Sequence, residues 1–182
     1  MSSPELHALL LGEKVEEIYL GIGEWYFTTR PTRIRTLLGS CISVTMWHPR
    51  LRIGGMCHYM LPERQSPVAD APLDGRYADE AMIMFDQAFI RHGTRPNDYV
   101  AKVFGGGNMF ATQDKHKRQG MDIGQRNIET VHRLLAQRRI PIVAEHLGGE
   151  GHRRLIFDVH NGDAWIAFHG NGITSQAMAG TS

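Results

Sequence analysis

Only two of the 182 residues are cysteine, and neither belongs to a Cys-x-x-Cys pair, so a disulfide framework and a paired-thiolate metal site are both excluded. Charge of one sign is missing as well: 20 basic side chains meet 19 acidic ones for a net charge of +1. The basic residues cluster only at Lys115-His-Lys-Arg118, which reads as a solvated loop, so no nucleic-acid groove is expected. No apolar run approaches the roughly 20 residues of a membrane span. Met1 to Lys14 has neither a basic start nor a signal-type cleavage site, and a cytoplasmic protein without membrane insertion is expected. Ten histidines are present, yet no His-Glu-x-x-His spacing appears and Glu145, His146 and His152 follow no ligand pattern, so no metal is expected. The Gly-rich run from Phe104 to Phe110 lacks the Lys-Ser/Thr of a phosphate cradle and reads as a tight strand exit.

What the chain does have is a cysteine and a histidine on two strand-like segments joined by a turn. Cys41 to Trp47 alternates and is rich in β-branched residues, His48-Pro-Arg-Leu51 reads as the turn, and the pattern resumes from Ile53 to His58. Closing the turn at His48 and Leu51 sets Cys41 directly opposite His58, where Cβ atoms lie roughly 4.5 to 5.5 Å apart and a thiol reaches an imidazole. The same register gathers Cys41, Ser43, Thr45, Arg52 and His58 on a polar face, with Ile42, Val44, Met46, Ile53 and Cys57 on an apolar one. A slip of one residue would set Cys57 against Cys41 instead.

A free cysteine is as a rule a small buried hydrophobe. Cys41 is set apart by the preceding Leu38-Gly39-Ser40, a turn whose successive backbone N–H groups suit an oxyanion in acyl transfer. Thr36 or Ser40 supplies the hydroxyl that orients the histidine. Cys41 and His58 are therefore a candidate catalytic dyad, with Gly39 and Ser40 in support, and its chemistry needs no metal or organic cofactor.

Elsewhere the pattern is that of one domain. Residues 1–14 read as a flexible arm, the domain proper spans 15–168, and the Gly, Ser and Ala content of 169–182 reads as a flexible tail. Short strands are expected at 18–22, 25–28, 34–38, 99–104, 142–146, 154–159 and 165–168. Ala81, Met82, Phe85, Ala88 and Phe89 form the apolar stripe of a helix over 78–92, and Ile128, Val131, Leu134 and Leu135 that of a second, starting at Asp122 or Gly124 and running to about Arg138. The long loop 63–76 leaves the strand that carries His58 and borders a cleft. Many strands and two amphipathic helices without βαβ alternation predict a single-domain α/β layered sandwich, mainly antiparallel, with both helices on one side.

Thr36-Leu-Leu-Gly-Ser-Cys41 and Gly54-Gly-Met-Cys-His58-Tyr-Met-Leu-Pro62 resemble the signature of the CheD family of chemoreceptor glutamine deamidases. Gly75-Arg-Tyr-Ala-Asp79, Ala101 to Phe110, Ile123-Gly-Gln-Arg-Asn127 and Ala144-Glu-His-Leu-Gly-Gly149 follow in that family's order. The resemblance implies that Cys41 is the nucleophile, His58 the general base and acid, and Thr36 the residue that positions the imidazole, Ser40 being the alternative. It implies as substrate the glutamine side chains on the cytoplasmic helices of chemotaxis receptors, and as a further partner a CheC-type phosphatase. Met109-Phe110, at the end of the glycine run, is the expected partner contact, Phe110 above all.

Overall fold

The computed structural model describes residues 15–66, 69–108, 123–170 and 173–180. Among the described residues, ten strands form two five-stranded sheets. The outer sheet has the order β1 (Glu16–Tyr19), β3 (Thr32–Leu38), β8 (Gly151–Asp158), β9 (Ala164–Gly170), β10 (Ile173–Ala179). The middle sheet has the order β2 (Trp25–Thr28), β5 (Ile53–Tyr59), β4 (Ile42–His48), β6 (Val100–Gly105), β7 (Ile142–Leu147). Pairing is antiparallel except at β1 with β3 and β6 with β7. Two helices, α1 (Ala78–Arg91) and α2 (Ile123–Gln137), cover the free face of the middle sheet. The expected α/β sandwich with its helices on one side is the fold observed.

Because the middle sheet is covered twice, the β4–β5 hairpin has no wet side. Ile42, Val44, Met46, Cys57 and Tyr59 meet Met82, Phe85 and Phe89 of α1 and Val131 and Leu135 of α2. From the opposite face, Trp47 and Met56 meet Ile34, Leu38, Leu155 and Phe157 of the outer sheet. The polar face read from the sequence is therefore interior: Ser43, Thr45 and His58 are all buried. Tertiary covering, which alternation along one strand does not reveal, decides this.

The hairpin register differs from the expected one. His48 pairs with Ile53, Ser43 with His58 and Ile42 with Tyr59, so the turn is a four-residue loop, Pro49 to Arg52, two residues longer than the one read from the sequence. Arg52 adopts a left-handed φ of 54° and donates its N–H to the His48 carbonyl at 2.8 Å, while Leu51, taken as a ladder residue, is exposed. An arginine in that conformation is uncommon and carries no signal in composition. Cys41 thus precedes the ladder and does not face His58 directly. Cys41 packs against the cluster of Leu38 and Met56, the layer between the two sheets.

Within the expected flexible tail, Ile173–Ala179 instead pair with β9 along their length. Lys102, buried on β6, crosses between the sheets and donates to the carbonyls of Gly162 (2.7 Å) and Ala179. The 1–14 arm, Phe110 with Met109, the Lys115–Arg118 run and the Asp122 cap lie outside the described residues.

Candidate active site

The site lies where the two sheets meet at one end. β3 of the outer sheet brings Thr36 inward between Ile34 and Leu38, and β5 of the middle sheet brings His58 to face it. Thr36 Oγ1 lies 2.8 Å from His58 Nδ1 and donates its hydrogen to the Leu20 carbonyl at 2.7 Å. A hydroxyl has one hydrogen, so with that hydrogen committed to Leu20 it accepts from Nδ1–H. This places the imidazole lone pair on Nε2, which is buried and has no hydrogen-bond partner. Of the two hydroxyls considered from the sequence, Thr36 is the one on the ring.

His58 directs its backbone C=O and N–H to Gly23 (2.7 Å) and Glu24 (3.0 Å), away from β4. Ser43 and His58 therefore form a non-hydrogen-bonded cross-strand pair, the kind whose side chains approach most closely. Ser43 Oγ is likewise buried without a partner. The sequence register missed Ser43 at this position because it assigned the place to Cys41.

Cys41, partly exposed, sits at the end of a turn whose carbonyls are all engaged. Gly107 N–H donates to Gly39 O at 2.8 Å, Asn127 Nδ2 to Ser40 O at 3.2 Å, and Gly106 N–H to Cys41 O at 2.9 Å. Asn127 Nδ2 also donates to Met60 O at 2.9 Å, while the Asn127 carbonyl accepts from Tyr59 Oη at 2.8 Å. One fully buried amide on α2 thereby fastens the start of the cysteine strand to the end of the histidine strand. The glycine run is required here by contact: a Cβ on Gly105, whose φ is 118°, would stand 2.0 Å from Cys41 O.

Sequence reasoning read these glycines as a strand exit and gave Asn127 only structural pairing. The bonds to the Cys41 turn show what both do, and the only prior signal was their place in the CheD-like segments. A second unflagged residue is Arg153, 1% exposed, which donates Nε to His146 Nδ1 at 2.7 Å and Nη2 to Gly148 O. Burial pushes its guanidinium down to about 10.

Burial pushes the Cys41 thiol up, against a smaller opposing pull from its own backbone N–H. Burial likewise holds His58 below the ordinary histidine value, with the Leu20 carbonyl and Glu24 opposing. Near neutrality the resting pair is a thiol and an uncharged imidazole. Cys57, fully buried, is pushed up to about 12 and is chemically silent. Among the described residues no group of three or more His, Cys, Asp or Glu is placed to hold a metal ion, and no helix is long and apolar enough to cross a membrane.

Residues 60–168 match the family model described as CheD chemotactic sensory transduction. The chain belongs to the CheD family. It is 52% identical over 155 residues to the probable chemoreceptor glutamine deamidase CheD 3 of Dechloromonas aromatica, covering 85% of this chain and 89% of that one. Identity is 49% over 152 residues to the probable chemoreceptor glutamine deamidase CheD of Pseudomonas savastanoi pv. phaseolicola, covering 84% of each. A crystal structure of the Bacillus licheniformis hypothetical protein YfiH aligns over 67% of this chain and 49% of its own, with a TM-score of 0.43 and 17% identity.

Proposed function

We propose that this CheD-family chain hydrolyses glutamine side chains of chemotaxis receptors to glutamates and ammonia, with Cys41 as nucleophile, His58 as proton carrier and Thr36 as the residue that positions the imidazole. The observation that carries the reading is the Thr36–His58 hydrogen bond at 2.8 Å, whose geometry leaves Nε2 basic and without a hydrogen-bond partner. Names of relatives point to the same substrate class.

The steps follow from the groups present. Nε2 takes the Cys41 proton as sulfur forms a bond to the carboxamide carbon, and the carbonyl π pair moves to oxygen, facing the Cys41 N–H. The tetrahedral adduct collapses, the C–N bond breaks, and the imidazolium returns its proton to the leaving nitrogen, releasing ammonia and a thioester. A water molecule, deprotonated by Nε2, then adds to the thioester carbon; the C–S bond breaks, sulfur recovers the proton, and the side chain leaves as glutamate. Thr36 holds the ring in one tautomer throughout and accepts from Nδ1–H when the imidazolium forms.

Receptor cytoplasmic helices as substrate make the protein cytoplasmic in this reading, and a CheC-type phosphatase is its further partner. Mass analysis of a receptor cytoplasmic fragment incubated with the protein tests the function: each processed glutamine gains about one mass unit, since NH2 is replaced by OH. An unchanged fragment mass with the unaltered protein, or an equal gain with Cys41→Ala, would refute it.

A further inference from the structure

A cleft of about 440 Å³ opens beside the Cys41 turn, lined by Leu61, Pro62, Glu63, Arg64, Tyr77 and Arg126. Its position relative to the site is fixed by covalent neighbours. Leu61 follows Met60 and Arg126 precedes Asn127, and Asn127 is bonded to the carbonyls of Met60 and Ser40. Two stretches of the cleft wall, at Leu61 and at Arg126, are thus continuous with residues that Asn127 fastens to the Cys41 turn.

Its charged groups are not equivalent. Arg64 is occupied: it forms a two-pronged pair with Glu80 at 2.8 and 2.9 Å and lies over the Tyr77 ring at 5.0 Å. Glu63 is exposed and solvated. Arg126 is partly buried on the cleft wall, and it makes no hydrogen bond or ion pair among the described residues. A guanidinium held partly out of water gains most from a carboxylate, which it can grip with two parallel N–H donors.

We infer that Arg126 is a specificity-determining residue that binds a carboxylate flanking the target glutamine. The carboxylate belongs to the receptor segment itself, an acidic side chain one helical turn from the glutamine. Side chains three or four residues apart share a helix face, so one could enter this cleft while the other reaches Cys41. The inference rests on the deamidase reading and adds to it a rule for which glutamines are taken. Binding energy gathered at Arg126 fixes the carboxamide for attack, so the preference is expressed in kcat/KM.

Two receptor-helix fragments test this, identical except that the residue four positions from the target is glutamate in one and glutamine in the other. The wild-type protein should process the glutamate-flanked fragment with about tenfold higher kcat/KM, a ratio that shrinks as salt is raised. Arg126→Gln should bring the ratio to about one, and Arg126→Glu should invert it in favour of a lysine-flanked fragment. The affinities of Cys41→Ala for the same fragments should show the same ordering, which tests the subsite independently of turnover. Ammonia release from neither fragment by the wild type overturns the deamidase reading. A wild-type ratio of one in turnover and in binding, or a ratio that survives Arg126→Gln, overturns the carboxylate subsite.

Discussion

The two faces of the β4–β5 hairpin are equally dry and do opposite things. On the helix side Ile42, Val44, Met46, Cys57 and Tyr59 are packed among apolar neighbours, and the hydroxyl the hairpin carries on this face, Tyr59 Oη, is bonded to Asn127 O. On the sheet side Ser43 Oγ and His58 Nε2 are buried with nothing to bond. Leaving a polar group unpaired in the interior costs about 1–3 kcal/mol; of the hairpin's own side chains it is those on the sheet side that bear this cost, while the helix layer bears it only through groups the hairpin does not carry, Trp25 Nε1 and Asn127 Oδ1. The two cysteines divide in the same way: Cys57 is sealed among methionines and aromatics, and Cys41 sits where its surroundings are pinned but its sulfur is partly open. The difference teaches that burial alone does not mark a residue as structural: one hairpin buries a bonded hydroxyl on one face and unbonded polar atoms on the other.

The largest test of that contrast is to exchange which cysteine is lost. Cys41→Ala should abolish ammonia release, His58→Ala should lower kcat by about 10³-fold, and Cys57→Ala should keep near-normal turnover while losing thermal stability from a small cavity. Iodoacetamide followed by peptide mapping should label Cys41 and spare Cys57. Labelling of Cys57 first would break the comparison.

Next in size are the residues that hold the dyad. Thr36→Val removes the acceptor for Nδ1–H, frees the ring to take the other tautomer, and should lower kcat by about 10²-fold with KM little changed. Asn127→Ala removes both clamps on Ser40 and Met60 and should cost about tenfold in kcat, together with a lower melting temperature. If Asn127→Ala melted normally and turned over normally, the fastening of the two strands would be irrelevant to the site.

The pH dependence sharpens the comparison further. Because burial depresses His58, its base form persists to lower pH than that of an ordinary histidine, and the acid limb of kcat/KM should have its midpoint below about 6.5. The free-enzyme alkylation rate of Cys41 should keep rising with pH beyond the range of an ordinary thiol, since its pKa is raised. A midpoint above 6.5 would mean that an acidic neighbour, and not burial, controls the ring.

The smallest expected effect is a gain. Ser43→Ala deletes an unsatisfied buried hydroxyl and should stabilise the protein by about 1 kcal/mol in denaturant unfolding. A loss of stability instead would show that the Ser43 hydroxyl is satisfied in solution and that the sheet side is less frustrated than its geometry indicates.

Much of this was legible in the sequence, for identifiable reasons. The helix at Ala78–Arg91 and that at Ile123–Gln137 announced themselves by apolar stripes that the core then uses, and the sandwich follows from covering those stripes. That a cysteine and a histidine stand near one end of a hairpin was visible in the sequence, although Ser43 and not Cys41 is opposite His58. The register itself was not, because a positive-φ arginine at position 52 lengthened the turn without any glycine or asparagine to signal it. Nor could one strand say that its polar face would be covered, since Thr36 arrives from the other sheet, 22 positions earlier in the chain. Asn127 was hidden for the same reason: its bonds to Ser40 and Met60 span 87 and 67 positions. The C-terminal strand was concealed by small residues that gain their order from β9 and from Lys102.

Since Thr36 comes from one sheet and His58 from the other, the reactive arrangement exists only when the two sheets are docked. A chain still emerging from the ribosome, or one partly unravelled by heat, carries the thiol of Cys41 without a correctly held base. On the proposed mechanism, docking of the two sheets is thus the step that switches the chemistry on, and a half-folded chain is harmless to the glutamines of its neighbours.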